Sequence, residues 1–426
     1  MASISNNGDD RISSLPDSLL VHSLSFLPTK YAVGTSVLSS RWKCLWASVP
    51  NLDFDANLHL DLSSSDFMNF IERVLLNHNL SGIQKFRLSC DNDYIDIDIS
   101  RIYTWISAAV KRGVQELDLQ ISPSGQDLDL PFSLFTCPTL MVLKLGNEIR
   151  FDVPYPARFR NLKILHVSIC FHGNDLARNL FSNCPVLEDL LLEGTVLSCE
   201  KLTFDVFTPA LKSSKLKFTT LVDDLLFDNS YKIVINAPVL EYLNLQDDYI
   251  HCYMLNNLSS LAKADINVGY NCNKAEKTEK HADRLLALDY AADSKLLLFP
   301  NLIRLELHVH NCYGWKGLLD LLNKIPNMVY LVLKKLKFCQ CGKNNASKDF
   351  NFVEQEVPYC LSMHLQEIEI SGFQGMSDEL KLIEYFLRNG RVLQKMAIKS
   401  SNLSGKQEEK LLMFPRGSRN CEILLS

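Results

Sequence analysis

The sequence has no long uninterrupted apolar run and no excess of basic residues. A helix that crosses a bilayer needs about 20 consecutive apolar residues, and no segment of the 426 residues approaches that length. Lysine and arginine total 44 against 49 aspartates and glutamates, which gives a net charge of −5. Because nucleic-acid binding typically requires a strong basic excess, we expect neither a nucleic acid nor a membrane as partner.

Signals for secretion and for a disulfide framework are also missing. Residues 1–14 contain no basic start followed by an apolar stretch, so they do not resemble a secretory signal. The 13 cysteines are odd in number and scattered, which favours reduced thiols. We therefore expect a protein of the nucleus, the cytoplasm or both, in which residues 1–9 form a disordered tail.

No signature of an enzyme is visible. The sequence contains no glycine-rich loop of the phosphate-binding or dinucleotide-binding type and no nucleophile motif. Asp96 and Asp98 alternate with isoleucines in "YIDIDIS", and this alternation predicts a half-exposed strand better than a catalytic pair. We expect a protein without catalytic residues and without a cofactor.

Two sets of residues that contain cysteine or histidine are candidate metal ligands. His308, His310 and Cys312 alternate along one predicted strand and would share a face that could hold zinc, but the same face is explained more simply as a solvated polar surface. Cys339 and Cys341 lack the usual two-residue spacing of a zinc site and lie in a polar segment. We therefore expect no metal site.

Residues 10–56 carry signals for three short helices. Proline suits the first turn of a helix and an acidic residue there interacts favourably with the helix dipole, so Pro16 and Asp17 mark the first start. Leu20, Leu24 and Leu27 follow at helical spacing and form one apolar stripe.

Thr29 is predicted to cap the second helix, and Ser39 or Ser40 is predicted to cap the third, ahead of Trp42 and Trp46. Three helices in about forty residues form a very small core. We expect a partner protein to cover part of its apolar surface.

From about residue 83 a phrase of the form apolar-x-x-apolar-x-apolar recurs twelve times. The clear copies are "VQELDL" (114–119), "LMVLKL" (140–145), "LKILHV" (162–167), "LEDLLL" (187–192), "LEYLNL" (240–245), "LIRLEL" (302–307), "MVYLVL" (328–333), "LQEIEI" (365–370) and "LQKMAI" (393–398). Weaker copies start at residues 83, 211 and 261. The spacing overlaps that of leucine-rich repeats, in which each unit buries its apolar face only by stacking on a neighbour.

Two intervals between phrases are longer than the rest. The first includes a charged stretch with Leu285, Leu286 and Leu288, which predicts a helix or loop insertion. The second includes residues 339–351 and predicts a polar surface loop. The expected fold is therefore α/β: a small three-helix unit, followed by an irregular horseshoe-shaped solenoid of parallel strands.

Both ends of the chain resemble known domains. The segment "DRISSLPDSLLVHSLSFLPTKYAVGTSVLSSRWKCLWASVPNLDFD" (10–55) resembles the F-box of plant F-box/leucine-rich-repeat proteins. Residues 355–398 and the segment "FPRGSRNCEILLS" (414–426) resemble the FBD domain that closes many of these proteins. The resemblance implies an F-box over 10–56, a leucine-rich-repeat solenoid over 57–350, and an FBD domain over 351–426 that continues the repeat fold.

The resemblance also implies partners. In this family the F-box docks on a Skp-type adaptor, which links it to a cullin and a RING subunit, while the repeats hold a protein substrate for ubiquitination. By motif position, the expected adaptor-binding residues are Leu15, Pro16, Leu19, Leu24, Leu27, Pro28, Val37, Leu38, Trp42, Leu45 and Trp46, of which those from Val37 onward complete the docking patch or the core beneath it.

Two positions depart from the pattern. Ser23 stands where the family usually has an isoleucine or leucine, and Gly34 lies on the second predicted helix. A buried apolar side chain contributes roughly 1.5–3 kcal/mol, and a glycine within a helix costs up to about 1 kcal/mol relative to alanine. Both departures predict weaker adaptor binding.

The sequence supports two candidate functions, which belong to different classes of protein. The first is a non-catalytic substrate-recognition subunit of a ubiquitin ligase. The alternative is a leucine-rich-repeat interaction scaffold with a degenerate F-box and no ligase role. The substrate is unknown, and the candidates for its contacts are the solvent-facing strand residues, such as Lys144, His166, Asn244, Glu306 and Glu369.

Overall fold

A computed structural model describes most of the chain in two compact units, Met1–Ile169 and Cys170–Ser426. The described residues are 12, 14–59, 62–79, 82–90, 98–121, 128–146, 149–151, 154, 158–171, 183–196, 203–220, 232–247, 252–268, 299–309, 316–335, 356–400 and 403–426. Several sequence predictions lie outside these residues: the leucine-containing insertion at 285–288, the cysteines at 339 and 341, and Asp96.

The first unit begins with short helices. They are α1 (Asp17–Leu24), α2 (Thr29–Gly34) and two 3-10 helices, Thr35–Val37 and Trp42–Ser48. Prolines precede both α-helices: Pro16 and Pro28 are the N-cap residues, with φ of −59° and −52°. The fixed φ of proline suits entry into a helix, which explains both starts.

The third predicted helix differs from expectation in kind and in its start. It is a 3-10 helix that begins at Trp42, and its N-cap is Arg41, which makes no side-chain cap hydrogen bond. The predicted capping role of Ser39 or Ser40 is therefore wrong. The same holds for Thr29, which is the first residue of α2 and follows the N-cap Pro28. Ser39 contributes through its backbone, because its carbonyl accepts a hydrogen bond from the N–H of Trp42 at 3.1 Å.

The rest of the first unit is a parallel sheet with helices in its connections. Its elements are β1 (Asn51–Asp55), α3 (Ser64–Asn77), β2 (Lys85–Cys90), α4 (Ile99–Lys111), β3 (Glu116–Ile121), β4 (Leu128–Asp129), α5 (Phe132–Phe135), β5 (Val142–Leu145), β6 (Ile149–Arg150) and β7 (Ile164–Phe171), with a 3-10 helix at Ala56–His59. Strands β1, β2, β3, β5 and β7 are neighbours in that order, and β4 pairs with β6.

Strand β1 joins the N-terminal helices to this sheet without an intervening loop. Asn51 lies opposite Lys85 of β2 in a parallel register. The Thr29 hydroxyl accepts a hydrogen bond from the N–H of Asp53 at 2.8 Å, and the Asn51 amide donates to the carbonyl of Ser25 at 3.2 Å. The helices and the first strand therefore share hydrogen bonds.

The second unit has more strands. Its described elements are β8 (Asp189–Val196), β9 (Thr203–Phe207), β10 (Ser213–Thr220), β11 (Lys232–Asn236), β12 (Tyr242–Asp247), β13 (Cys252–Asn256), β14 (Lys263–Val268), β15 (Arg304–Val309), α6 (Lys316–Asn323), β16 (Tyr330–Lys335), α7 (Tyr359–Met363), β17 (Glu367–Ser371), α8 (Ser377–Asn389), β18 (Lys395–Lys399), α9 (Gly405–Met413) and β19 (Glu422–Leu425). Strands β8, β10, β12 and β14–β19 form one parallel sheet.

Every repeat phrase contains one strand, which begins at the third residue of the phrase. The phrase at 114–119, for example, leads into β3 at Glu116, and the phrase at 302–307 leads into β15 at Arg304. The first apolar residue of each phrase is buried, and buried and half-buried residues alternate along most strands. The predicted α/β fold with an open, parallel-stranded repeat region is confirmed.

The asparagine that precedes several phrases has a structural role. The side-chain amides of Asn161, Asn301 and Asn327 donate hydrogen bonds to the carbonyls of Pro138, Ser259 and Pro300 at 2.6, 2.7 and 2.8 Å. Each acceptor belongs to the turn of the preceding repeat. These bonds satisfy carbonyl groups that the strands leave unpaired and connect successive repeats.

Three features were not anticipated. Strands β9, β11 and β13 form a second parallel sheet, and the Phe204 ring of β9 lies 4.9 Å from the Phe218 ring of β10 between centroids. Strand β1 lies inside the range predicted for the F-box. Asp98 is not on a strand: it caps α4 and accepts a hydrogen bond from the N–H of Ser100 at 2.9 Å.

A buried ion pair fixes the C-terminal region to the repeat sheet. Lys335 at the end of β16 pairs with Glu379 in the first turn of α8, and their side chains are only 6% and 4% exposed. The second carboxylate oxygen of Glu379 accepts hydrogen bonds from the N–H groups of Met376 at 2.8 Å and Gln374 at 3.1 Å. Gly372 has φ of +76°, and a Cβ there would collide with the carbonyl of Lys335.

Lys335→Met is expected to lower the free energy of unfolding by about 3–5 kcal/mol, because it leaves the Glu379 carboxylate buried without its cation. The double variant Lys335→Met/Glu379→Gln should recover part of this loss, since no buried charge is left unpaired. Urea unfolding of the full chain measures both. Lys212→Met, which breaks the exposed pair with Glu188, is the control, and equal stability of the two single variants would contradict the prediction.

Gly34→Ala is expected to raise the free energy of unfolding by about 0.5–1 kcal/mol. Gly34 has helical dihedrals, φ −58° and ψ −26°, and a Cβ there would meet no atom within 4 Å. Gly372→Ala is the matched control and should destabilise the chain. A loss of stability in Gly34→Ala in the same urea titration would show that glycine is required at this position.

Candidate functional site

The N-terminal helices enclose a small core. It consists of Leu20, Leu24, Ala32, Trp42, Leu45 and Val49, with Val21 and Trp46 packed against it. Trp42 is 8% exposed, so the core encloses this tryptophan almost completely. Three of the predicted adaptor-binding residues, Leu24, Trp42 and Leu45, therefore support the surface from beneath rather than forming it.

Most of the other predicted residues are exposed. Leu15, Pro16, Leu19, Leu27, Val37 and Leu38 all present their side chains to solvent, and Pro28 and Trp46 are half-buried. Val37 reaches 87% exposure, which is unusual for valine because this residue type is more often buried. The structure thus brings these residues together on one small unit, while their contacts with an adaptor stay a prediction.

Three large apolar residues of this unit were missed by the sequence analysis. Ile12, Phe26 and Tyr31 are exposed, and Phe26 reaches 74%. None of the three belongs to the buried apolar stripe of Leu20 and Leu24. Their exposure could therefore have been inferred from the sequence. The N-terminal apolar surface is defined here as the eight exposed residues Ile12, Leu15, Leu19, Phe26, Leu27, Tyr31, Val37 and Leu38.

Ser23 interrupts this surface. It is exposed one helical turn after Leu19, and its hydroxyl donates to the Leu19 carbonyl at 2.9 Å. Residues four apart lie on the same side of a helix, so Ser23 shares the exposed side of α1 with Leu19. A polar side chain therefore stands within the apolar surface and not in the core.

Arg41 connects the last helix of the unit to the first. Its guanidinium donates to the Asp17 carboxylate at 3.0 Å from Nε and 2.6 Å from Nη2, and Nη2 also donates to the carbonyl of Leu15. A planar guanidinium suits such a paired contact. No local pattern predicts this role, because the partners are 24 and 26 residues apart.

The solvent-facing strand residues form a second candidate surface. Lys144 pairs with Glu116 at 3.6 Å in the first unit. In the second unit, the Asn244 amide donates to Asp265 at 3.0 Å, and Glu369 pairs with Lys399 at 2.6 Å. These side chains are hydrogen-bonded or paired across neighbouring strands.

The pKa values on this surface reflect the pairs. The Lys399 hydrogen bond holds the pKa of Glu369 below its ordinary value. Burial raises the pKa of Glu306, but the hydrogen bond and charge of Lys334 outweigh it and leave that pKa below its ordinary value. Both glutamates therefore stay ionised at neutral pH.

The remaining sequence predictions concern the cysteines, membrane-spanning segments and the set of His308, His310 and Cys312. Six cysteines within the described residues, Cys44, Cys90, Cys137, Cys184, Cys360 and Cys421, are free thiols. Burial raises the pKa of Cys90, Cys184 and Cys360 to about 12, so these thiols are poor nucleophiles. In the part of the chain that the structure describes, no helix is both long and apolar enough to span a bilayer. His310 and Cys312 lie outside the described residues.

Comparison with known proteins identifies three domains. Residues 12–54 match the F-box domain, residues 102–264 match the leucine-rich repeats described as "FBD-associated F-box protein At5g56370, LRR repeats", and residues 353–398 match the FBD domain. The F-box match contains the N-terminal apolar surface, and the FBD match contains Glu379 of the buried ion pair.

Several Arabidopsis thaliana proteins are similar along nearly their whole length. F-box/FBD/LRR-repeat protein At5g22660 is 32% identical, over 99% of this chain and 97% of its own length. The putative FBD-associated F-box protein At3g50710 is 30% identical, over 98% of this chain and 100% of its own length. F-box/LRR-repeat protein 13 is 30% identical, over 98% and 96%. The protein therefore belongs to the plant F-box/FBD/leucine-rich-repeat family.

Proposed function

We propose that this protein is a substrate-recognition subunit of a Skp–cullin–F-box ubiquitin ligase. At the level of the family, an F-box implies binding to a Skp1-type adaptor, and the matched domains include no catalytic one. The observation that carries the proposal for this chain is the N-terminal apolar surface. Soluble proteins rarely expose so many large apolar side chains in one short segment unless another protein covers them.

The chemistry of that surface suits a stable protein interface. Leu19 and Val37 offer aliphatic contacts, while Phe26 and Tyr31 are of the aromatic type that often dominates binding energy. Each large apolar side chain that becomes fully buried contributes roughly 1.5–3 kcal/mol. The bound adaptor would link the chain to the cullin and RING subunits, in the nucleus, the cytoplasm or both.

In this proposal the repeat strands hold the protein target. The strand residues between the buried leucines face solvent and differ in polarity and charge, as expected for the binding surface of a repeat protein. Some of these residues already form ion pairs with each other, such as Glu369 with Lys399. A target that binds there would need charged groups of both signs to interact with such a pair. The protein itself supplies binding and orientation, and the partner enzymes supply the ubiquitin-transfer chemistry.

Leu19→Asp and Val37→Asp are each expected to weaken adaptor binding at least about 100-fold, because a carboxylate without a partner would become buried at the interface. Both positions are exposed in the free chain, so the fold should persist. Calorimetric titration of the full chain with a recombinant Skp1-type adaptor measures the effect. Leu76→Asp, at an 82% exposed leucine of α3, is the control, and wild-type affinity in Leu19→Asp would refute the proposed surface.

Ser23 supports a second candidate function. If the polar side chain blocks adaptor binding, the chain acts as an interaction scaffold with a degenerate F-box and without a ligase role. The geometry that favours this alternative is specific, because Ser23 lies one helical turn from Leu19 on the exposed side of α1.

Ser23→Ile is expected to tighten adaptor binding by about tenfold or more, since it adds one apolar side chain to the interface. Ser18→Ile, at an exposed serine on another side of the same helix, should leave affinity unchanged. Binding only after Ser23→Ile would support the scaffold, and measurable binding of the wild-type chain would support the ligase subunit.

Affinity purification from plant cells tests the whole proposal. With proteasome and neddylation inhibitors present, a ligase subunit should recover the adaptor, the cullin and an accumulating target together. Leu19→Asp should recover the target alone. Recovery of a target by the wild-type chain, without adaptor or cullin, would support the scaffold instead.

A further inference from the structure

Two neighbouring strands of the second unit bring metal-ligating side chains together. Asp265 and Asn267 alternate on β14, and Glu306 and His308 alternate on β15. Residues two apart on a strand share a face. Because Asp265 lies directly opposite Glu306 in the parallel register, all four side chains occupy one part of the same sheet face.

Three ligand atoms have the spacing that a tetrahedral metal site needs. His308 Nε2 lies 3.6 Å from Asp265 Oδ1 and 3.7 Å from Glu306 Oε1, and all three atoms are within 4.8 Å of one another. For metal–ligand bonds of about 2.0–2.1 Å, tetrahedral geometry separates neighbouring ligand atoms by roughly 3.3 Å. Small side-chain movements would therefore close the set around one ion.

Among these ligand atoms Asp265 Oδ1 lacks a hydrogen-bond partner, and so do one other polar atom of His308 and one of Asn267. Asp265 Oδ1, Asn267 Oδ1 and His308 Nδ1 are buried from solvent and have no hydrogen-bond partner. A buried acceptor without a donor costs free energy, and such groups in folded proteins commonly mark a bound water or ion. A cation between Asp265 and Asn267 would satisfy both oxygen atoms at once.

A neighbouring side chain orients the aspartate. The Asn244 amide of β12 donates to Asp265 Oδ2 at 3.0 Å, which leaves Oδ1 directed at His308. Metal-ligating carboxylates are typically hydrogen-bonded in this way through their second oxygen. The cluster therefore has an inner set of ligand atoms and an outer supporting hydrogen bond.

The charges around the cluster favour a cation. Asp265 and Glu306 place two carboxylates opposite each other on neighbouring strands. Lys334 pairs with Glu306, while Lys263 and Arg304 act at longer range. The two carboxylates of Asp265 and Glu306 thus have one closely paired cation, Lys334.

We propose that Asp265, Glu306 and His308 form a binding site for a divalent transition-metal ion such as Zn²⁺, with the amide oxygen of Asn267 as a fourth ligand. This is the one group of three or more metal-ligating residues with such spacing among the described parts of the chain. The proposal goes beyond the ligase role, because the site lies in the second unit and its ligands take no part in the N-terminal apolar surface.

His308 was a candidate ligand in the sequence, but its partners differ from those considered there. The sequence pattern grouped it with His310 and Cys312 along one strand. The structure instead gives it Glu306 of the same strand and Asp265 of the neighbouring strand, which is 43 residues away (308 − 265). Such a set leaves no motif in the sequence.

Zn²⁺ alone, titrated into the full chain, tests the site. Isothermal calorimetry of the wild type should show one more bound equivalent than Asp265→Asn or His308→Gln, since the thiols are the same in all three proteins. Glu193→Gln, on the same sheet face but distant in the strand order, should match the wild type. Equal stoichiometry in the wild type and both ligand variants would overturn the proposal.

A second measurement locates the ion. Hydrogen–deuterium exchange of peptides that cover β14 and β15 should slow on addition of Zn²⁺ in the wild type and not in Asp265→Asn. Lys334→Met should tighten Zn²⁺ binding several-fold, because it frees Glu306 from its ion pair. Unchanged exchange in wild-type β14 and β15, or weaker binding by Lys334→Met, would count against the site.

Discussion

The burial of one strand face against a neighbouring repeat is the constraint on which the structure depends. In each repeat the first and sixth residues of the phrase are apolar, as is the fourth in every repeat but the one with Ser214. A single unit offers nothing to cover these residues. Leu187, Leu190 and Leu192 of one repeat are fully enclosed only because the next strand continues the sheet. The half-buried residues between them are not needed to fill the core. These residues include the ion pairs and the proposed metal ligands.

Short-range regularities in the sequence predicted much of this. A period of two within each phrase located twelve strands, and Pro16 located the start of the first helix. Strand β1 and the second sheet were missed although both carry apolar alternation, because β1 lies next to the helices and the second sheet lies outside the phrase.

Interactions between distant residues could not be predicted in the same way. The pairs Arg41–Asp17 and Lys335–Glu379 join residues 24 and 44 positions apart, and no local pattern signals them. The same limit applies to the N-terminal apolar surface. The motif identified which side chains matter, but only packing decides that Leu24 and Trp42 face inward while Phe26 and Tyr31 face outward.

The direct connection between the helices and β1 determines how this chain can be divided. Because Thr29 and Asn51 join the helices to the first strand, and β1 depends on β2 for its backbone pairing, a cut after residue 56 would leave a strand with an open edge. Such fragments tend to aggregate. Exchange of the F-box between related proteins would therefore need to carry β2 along, so the exchangeable segment is longer than the motif.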